Sequence, residues 1–347
     1  MEARRVGAAV GLVLVLVLVL AGSGHPGEAP PPSRRFEFAE PHMGTEFRIV
    51  LYTADEAVAS RASRAAFARI KALDAALTDY DPESELMRLC ARAGGPALAV
   101  SPDLYRILDR AKALYDRSDG ALDVTLAPVV RLWRRARRER KRPDPALLEQ
   151  ARGLAVGCGA IELDPSARTA RLLRPRMKID LGAIAKGYAS GEAIAVLKQQ
   201  GIASALVAGS GDIVVSGPPP GRDGWTIAVA PLLRESDGKP GPTITLRDAA
   251  VSTSGDAEQF VEIDGVRYSH VLDPKTGLGL TERRSVTVIA PDGATADGLD
   301  TAACVLGPDR GLALIESTPG AAGLFVRLTP QGQEVRQTRG WGRHQSP

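Results

Sequence analysis

Apolar and polar positions alternate with a period of two from Arg34 to Ala54 (RRFEFAEPHMGTEFRIVLYTA), which predicts strand structure interrupted at His42-Met43-Gly44-Thr45. The period then changes. Between Asp55 and Asp81, Ala59, Ala62, Ala66, Ile70, Leu73 and Leu77 recur every three or four residues, predicting a helix with one apolar stripe. It stops at Asp79-Tyr80-Asp81-Pro82, a turn signal. A second helix is predicted from Ser101-Pro102, a cap followed by a first-turn proline, through Tyr115. Met177–Ile202 reads as a strand end, a glycine-containing turn and a helix. Ala203–Gly217 reads as strand, glycine turn and strand. Further strand patterns fall at Gly224–Ala230, Thr243–Gly255 and Ser285–Ala290, and Ala296–Gly307 (ADGLDTAACVLG) opens a helix. Helices and hairpins mix without regular βαβ alternation, so the fold class is α+β with mixed or antiparallel sheets. No repeat of solenoid period is present.

The first residues break this pattern. MEARR is a short basic stretch, Val6–Gly22 is apolar, and small residues lead into the proline-rich HPGEAPPPS. That is the pattern of a secretory signal peptide, assigned to 1–24, with a linker over 25–35. The apolar run falls short of the roughly 20 residues that span a bilayer, so an uncleaved anchor is the secondary reading. LVLAGSG is like a lipoprotein processing site, but no cysteine follows it. The expected location is therefore the periplasm or another extracytoplasmic face. The folded domain is expected over 36–330, with 331–347 as a polar tail.

Charge adds an exclusion. With 44 Lys and Arg against 41 Asp and Glu the net charge is only +3, and no aromatic residues interleave the basic ones, so nucleic acid is not expected as a partner. The basic run Arg134–Arg142 reads as a solvated helix face or loop. Attraction to anionic lipid heads, and with it peripheral membrane contact, is the minority reading. Cys90, Cys158 and Cys304 are too few and too scattered for a disulfide framework. A Cys90–Cys158 bridge is open but not demanded.

Familiar catalytic signatures are missing: the two GxG stretches at Gly157 and Gly209 lack the third glycine of a dinucleotide fingerprint, and no phosphate-loop GKS/GKT or HExxH occurs. What remains is a set of small polar clusters at turns, where binding groups concentrate. Asp119 and Asp123 flank Gly120; Asp180, Gly182 and Lys186 lie in DLGAIAKG; Asp256 ends STSGD; His270, Asp273 and Lys275 lie in SHVLDPKTG; Asp297, Asp300 and Thr301 lie in ADGLDT. Each has a plain structural reading. Asp180 and Asp297 are candidate helix N-caps, with Asp300 at N3. Lys186 reads as a solvated helix lysine, His270 as a hydrogen-bonded structural histidine, and Tyr80 as a helix-end aromatic. Taken together, carboxylates, a hydroxyl and backbone carbonyls suit Mg²⁺. Mg²⁺ beside a lysine and glycine-rich turns suits a pyrophosphate-bearing substrate.

Seven stretches in order resemble the bacterial flavin transferases of the ApbE family: PHMGTEF, LTDYDPESEL, SDGALDVTLAPVVRLW, IDLGAIAKGYA, VSTSGD, YSHVLDPKTG and ADGLDTAACVLG, together spanning about Phe36 to Leu328. The resemblance implies a two-lobed α+β fold with FAD in a cleft between the lobes. It implies Mg²⁺-dependent cleavage of FAD, with FMN passed to a threonine or serine hydroxyl of an acceptor flavoprotein and AMP released. By the resemblance, Met43, Tyr80, Ala121, Leu122, Asp123, Asp180, Lys186 and Leu272 bind FAD, and the Ala183 carbonyl with Asp297, Asp300 and Thr301 holds the metal. His270 corresponds to the base for the acceptor hydroxyl, with Asp256 near the phosphates and Lys186 supplying charge. The implied acceptors belong to membrane-associated electron-transfer complexes. The sequence departs from the family at Ser210-Gly211 before Asp212 and at Ala257–Phe260 after SGD. Two alternatives stay open: an FAD pyrophosphatase giving FMN and AMP, and a non-catalytic periplasmic FAD-binding protein.

Overall fold

The alternating segment folds into a long hairpin in this computed structural model, which describes residues 32–232, 242–256 and 259–346. Strands β1 (Arg34–His42) and β2 (Thr45–Thr53) pair antiparallel, with His42 opposite Thr45. The interruption at Met43-Gly44 is the two-residue turn itself. Both residues have positive φ, +50° and +73°, as a type I′ turn requires. A left-handed methionine costs roughly 1–2 kcal/mol. Asp74 offsets part of that by accepting the Met43 N–H at 2.8 Å. β1 begins at Arg34, two residues before the expected domain start. The signal-peptide assignment, and most of the linker, lie outside the described residues.

Six more strands extend the hairpin: β3 (Ser204–Gly209), β4 (Asp212–Val215), β5 (Ala249–Gly255), β6 (Arg284–Ala290), β7 (Ala322–Thr329) and β8 (Gly332–Gln337). They lie in the sheet in the same order as in the chain, and every pairing is antiparallel. Sheets smaller than this pair Trp225–Ala228 with Thr243–Leu246 and Phe260–Ile263 with Val266–Ser269.

The helices are α1 (Glu56–Leu77), α2 (Glu85–Ala91), α3 (Pro102–Arg117), α4 (Ala127–Glu139), α5 (Pro145–Leu154), α6 (Ala185–Gln199) and α7 (Gly293–Glu316). α1 buries the expected stripe, Ala59 through Leu77, and Asp55 caps it. Ser101 caps α3, accepting the Leu104 N–H at 3.2 Å. α1, α6 and α7 pack with β2, β3 and β6 into the largest apolar core. A second cluster, built on Trp225, Ile244 and Trp341, packs with Val50, Val215, Val251, Ile289 and Leu324 of the sheet strands.

That second cluster corrects one expectation. Residues 331–347 are not a polar tail: β8 pairs with β7, and Trp341 beyond it is fully buried. β8 is an edge strand of mostly exposed residues, so its composition alone does not separate it from solvated chain. Among the described residues no helix is long and apolar enough to cross a membrane.

Candidate active site

α6 and α7 begin in backbone contact. A Cβ built on Gly187 would stand 2.1 Å from the Gly293 carbonyl oxygen, and one on Gly293 would meet the Gly187 carbonyl at the same distance. This approach fixes what Asp297 does. α7 starts a turn earlier than the motif suggested, with Asp292 as its N-cap accepting the Thr295 N–H at 3.1 Å. Asp297 therefore does not cap its own helix, and Asp300 is not at N3. Instead Asp297 Oδ2 accepts the Gly187 N–H at 2.9 Å, at the start of α6, whose own cap residue, Ile184, offers no side-chain acceptor. With Gly187 N–H taken, the Ala183 carbonyl accepts no hydrogen bond from any described residue.

The carboxylates then crowd together. Asp300 is fully buried. Its Oδ2 accepts from Ser252 Oγ at 2.5 Å and its Oδ1 from Ser254 Oγ at 2.9 Å and Thr301 Oγ1 at 3.2 Å. Asp212 accepts from Lys186 Nζ and also from Ser252 Oγ. Ser252 has one hydroxyl proton to share between two carboxylates. Lys186 Nζ lies 3.9 Å from Asp297 Oδ1. Fully ionised, three buried carboxylates against one ammonium would carry an excess of two negative charges.

The titration behaviour follows from this crowding. Burial and then Asp212 push Asp297 up to about 7. Burial, Asp297 and Asp212 push Asp300 well above the usual carboxylate range. Burial opposes the Lys186 charge, but Asp297 and Asp212 outweigh it and hold the ammonium above its ordinary value. Lys186 is therefore not a solvated helix lysine. Among the described residues no three His, Cys, Asp or Glu side chains form a ready-made metal cage. The expected set asks for only two carboxylates, with a hydroxyl and a carbonyl. The unclaimed Ala183 carbonyl and the uncompensated charge fit a hard divalent cation.

This cluster forms part of the wall of a cavity of about 1290 Å³. The cavity is also lined by Met43, Tyr80, Ala121, Leu122, Asp123, Asp180, Ala183, Lys186, His270, Leu272, Asp297 and Thr301. Asp300 lies buried behind that surface. At one end Tyr80 is 76% exposed, and the Arg134 guanidinium stacks over its ring, 4.6 Å from the centroid. Arg134 also binds Asp79 and Asp180, each at 2.6 Å. Asp180 is not a helix cap: it closes a tight turn by accepting the Gly182 N–H at 2.8 Å. Burial raises its carboxyl while Arg134 opposes the shift. The basic run is accordingly not a uniformly solvated face, because Arg134, Arg137 and Arg138 line the cavity.

Asp123 Oδ1 accepts from the Thr125 N–H and hydroxyl, both at 2.8 Å, and from the Cys158 thiol at 3.7 Å. Burial raises its carboxyl. Cys90, Cys158 and Cys304 are all free and buried, so the Cys90–Cys158 bridge is absent.

His270 follows the Phe260–Ser269 hairpin, with its ring Nδ1 at 3.2 Å from the Gln259 carbonyl and its own N–H donating to that oxygen at 3.0 Å. Burial takes its pKa down to about 4, with Arg137 and Lys186 adding to the shift. Its value near 6.5, expected for a free imidazole, is thus lowered, and the ring is neutral at pH 7. Asp256 departs further from expectation. It does not line the cavity: Oδ2 accepts from Arg267 Nε at 2.6 Å and Oδ1 from the Arg284 N–H at 3.2 Å. Arg267 belongs to the hairpin before His270, so Asp256 anchors that hairpin and makes no contact with the cavity.

Asp212, Ser252, Ser254, Arg134 and Arg137 were not assigned from sequence. In the sequence Asp212 stands out only through the departure from the family pattern at Ser210-Gly211 before it. The serines sit in a strand where polar residues are unremarkable.

A family model described as "ApbE family" matches residues 43–325. The chain is 32% identical over 337 residues to an "FAD:protein FMN transferase" of Treponema pallidum, covering 90% of each. It is 32% identical over 295 residues to one of Klebsiella pneumoniae, covering 85% of this chain and 90% of the other. Among solved structures it is similar to "Flavin Transferase ApbE from Vibrio cholerae" (TM-score 0.77, 28% identity, covering 90% of this chain and 100% of that one). It is also similar to the apbe protein of Thermotoga maritima (TM-score 0.79, 27% identity, with the same coverage).

Proposed function

The chain belongs to the ApbE family, and on that footing we propose that it moves FMN from FAD to a threonine or serine hydroxyl of an acceptor flavoprotein, with Mg²⁺ as cofactor. The observation that carries the reading is the buried cluster of Asp212, Asp297 and Asp300 with Lys186 on the wall of a cavity of about 1290 Å³ that His270 also lines.

In the reaction the acceptor hydroxyl oxygen bonds to the FMN phosphorus, the bond from that phosphorus to the bridging oxygen breaks, and AMP leaves with that oxygen. Neutral His270 takes the hydroxyl proton. Lys186, held charged by its carboxylates, meets negative charge on the phosphate oxygens. Asp297, Asp300, Thr301 and the Ala183 carbonyl would hold Mg²⁺, which when bound supplies the larger share of charge neutralisation. Met43, Tyr80, Ala121, Leu122, Asp123, Asp180 and Leu272, which line the cavity, would contact FAD. The N-terminal pattern supports export, and an extracytoplasmic enzyme would meet acceptors of membrane-associated electron-transfer complexes.

The test incubates the protein with FAD, Mg²⁺ and an acceptor flavoprotein domain, reading in-gel flavin fluorescence and AMP. The expected result is a fluorescent acceptor with one AMP per label. AMP and FMN without label would instead make it a pyrophosphatase, and neither would make it a passive binder. Asp300→Ala should abolish labelling and Mg²⁺ affinity together. Full labelling by that variant would overturn the metal assignment.

A further inference from the structure

The α4 arginines have a use that the family resemblance does not supply. α4 buries Val129, Trp133 and Ala136, and it turns Arg134, Arg137 and Arg138 towards the cavity, at i, i+3 and i+4. Arg135, pointing elsewhere, is exposed and pairs with Glu139 at 2.7 Å.

The three cavity arginines differ in their partners. Arg134 is held by Asp79 and Asp180. Arg138 is exposed. Arg137 is partly buried, and no carboxylate or hydrogen-bond partner meets it among the described residues. Burial and the neighbouring Arg134 both work against its charge. A guanidinium withdrawn from water without a counter-ion is costly unless a ligand provides one.

A charge count says which ligand. With all three carboxylates ionised, as a bound divalent cation would hold them, Asp212, Asp297 and Asp300 against Lys186 carry two negative charges, which that cation cancels. That centre then has no positive charge in excess for a diphosphate. Of the cations lining the cavity (Arg134, Arg137, Arg138 and Lys186), Arg137 alone is both partly buried and without a partner among the described residues.

We propose that Arg137 binds the diphosphate of the dinucleotide substrate from the α4 side of the cavity, while Lys186 acts on it from α6. This rests on the FAD-transferase reading of the site. A guanidinium suits the role because its planar donors can grip two phosphate oxygens at once. The position also accords with His270, whose imidazole feels Arg137 and Lys186 on one side of its charge balance and Asp256 on the other.

The test compares wild type, Arg137→Ala and Arg137→Lys, with Arg135→Ala as the control. Dissociation constants for FAD and for riboflavin, which lacks phosphate, are read from quenching of flavin fluorescence. Losing a charge-assisted phosphate contact should weaken FAD about 10–100-fold, with riboflavin unchanged, the lysine variant intermediate and the control like wild type. The acid limb of kcat/KM should also move to higher pH in Arg137→Ala, since a cation that disfavours protonated His270 is gone. Equal weakening of FAD and riboflavin would overturn the proposal in favour of a packing role. Unchanged FAD affinity with a raised KM for the acceptor alone would overturn it in favour of an acceptor contact. A wild type that binds FAD but neither labels the acceptor nor releases AMP would refute the transferase reading and leave the FAD-against-riboflavin comparison interpretable.

Discussion

Single residues at this site owe their chemistry to what surrounds them more than to their type. His270 is the clearest case. An imidazole with a free value near 6.5 would lose activity as a base below about that pH. With burial taking it down to about 4, the neutral form persists through mildly acidic solution. The acid limb of kcat/KM for labelling is therefore expected near pH 4–5, measured with an acceptor stable over that range. Because Asp297 is itself pushed up to about 7, the profile is taken at saturating Mg²⁺, and a limb at 6.5 that does not move as Mg²⁺ is raised would contradict the burial that the structure gives the ring. His270→Ala should cost on the order of 10²–10⁴-fold in kcat. Lys186, Asp297 and Asp300 were legible through the motifs that carry the family resemblance, whereas Asp212, the fourth member of the cluster, was missed. Their partners were not legible. Ser252 and Ser254 look like ordinary strand serines, and nothing local tells that one hydroxyl stands between Asp212 and Asp300.

At the scale of elements, the centre depends on how two helices meet. The stretch Asp297–Thr301 reads in sequence like a helix start, because a cap and a ligand pair use the same residue types at the same spacing. The structure separates the two roles: Asp292 starts α7, and Asp297 instead caps the start of α6 by taking the Gly187 N–H. That interaction needs the glycine contact. Gly187→Ala would drive a methyl group against the Gly293 carbonyl and also to 2.8 Å from Asp297 Cβ. Backbone cannot step aside as a flexible side chain can, so the variant should lose about 3 kcal/mol, the upper end for overpacking. It should also bind Mg²⁺ more weakly, as read by calorimetry alongside denaturant unfolding. A variant as stable as wild type would mean that the two helices can separate freely. The basic run illustrates the opposite difficulty for sequence reading. Seven basic residues among the nine from Arg134 to Arg142, all but Ala136 and Glu139, would be expected of a solvated face, yet helix phase alone sends Arg134 and Arg137 inwards.

Over the whole molecule, the sheet and its helices were largely legible, since strand and helix periods are strong when one face is buried. The C-terminal strand was not, because an edge strand buries too little to leave a pattern. The helices on the core are tied by charge as well as packing. Arg69 of α1 binds Asp103 of α3 and Glu192 of α6, and Tyr188 of α6 donates to Asp103 at 2.8 Å. Burial alone would raise the Asp103 carboxyl, but Arg69, Tyr188 and Arg106 outweigh it and hold it well below the usual carboxylate range. A carboxyl lowered on folding stabilises above its unfolded value of about 3.9, and that contribution disappears as pH falls further. Asp103→Asn should therefore lower the melting temperature at pH 7 and lose most of that difference near pH 2, followed by circular dichroism. A deficit that stayed constant with pH would assign the loss to packing.

The glycine contact between α6 and α7 also bears on how such an enzyme can change over generations. A crossing with no space for even a methyl group admits no graded adjustment: the spacing of the acidic centre is either kept or lost. Diversification has to occur elsewhere, and α4 is the element with room, since its outer positions face solvent. Saturation mutagenesis selected for labelling should return glycine at 187 and 293 and many residue types at 135 and 139. An invariant centre beside a permissive helix would let descendants alter substrate grip without rebuilding the chemistry.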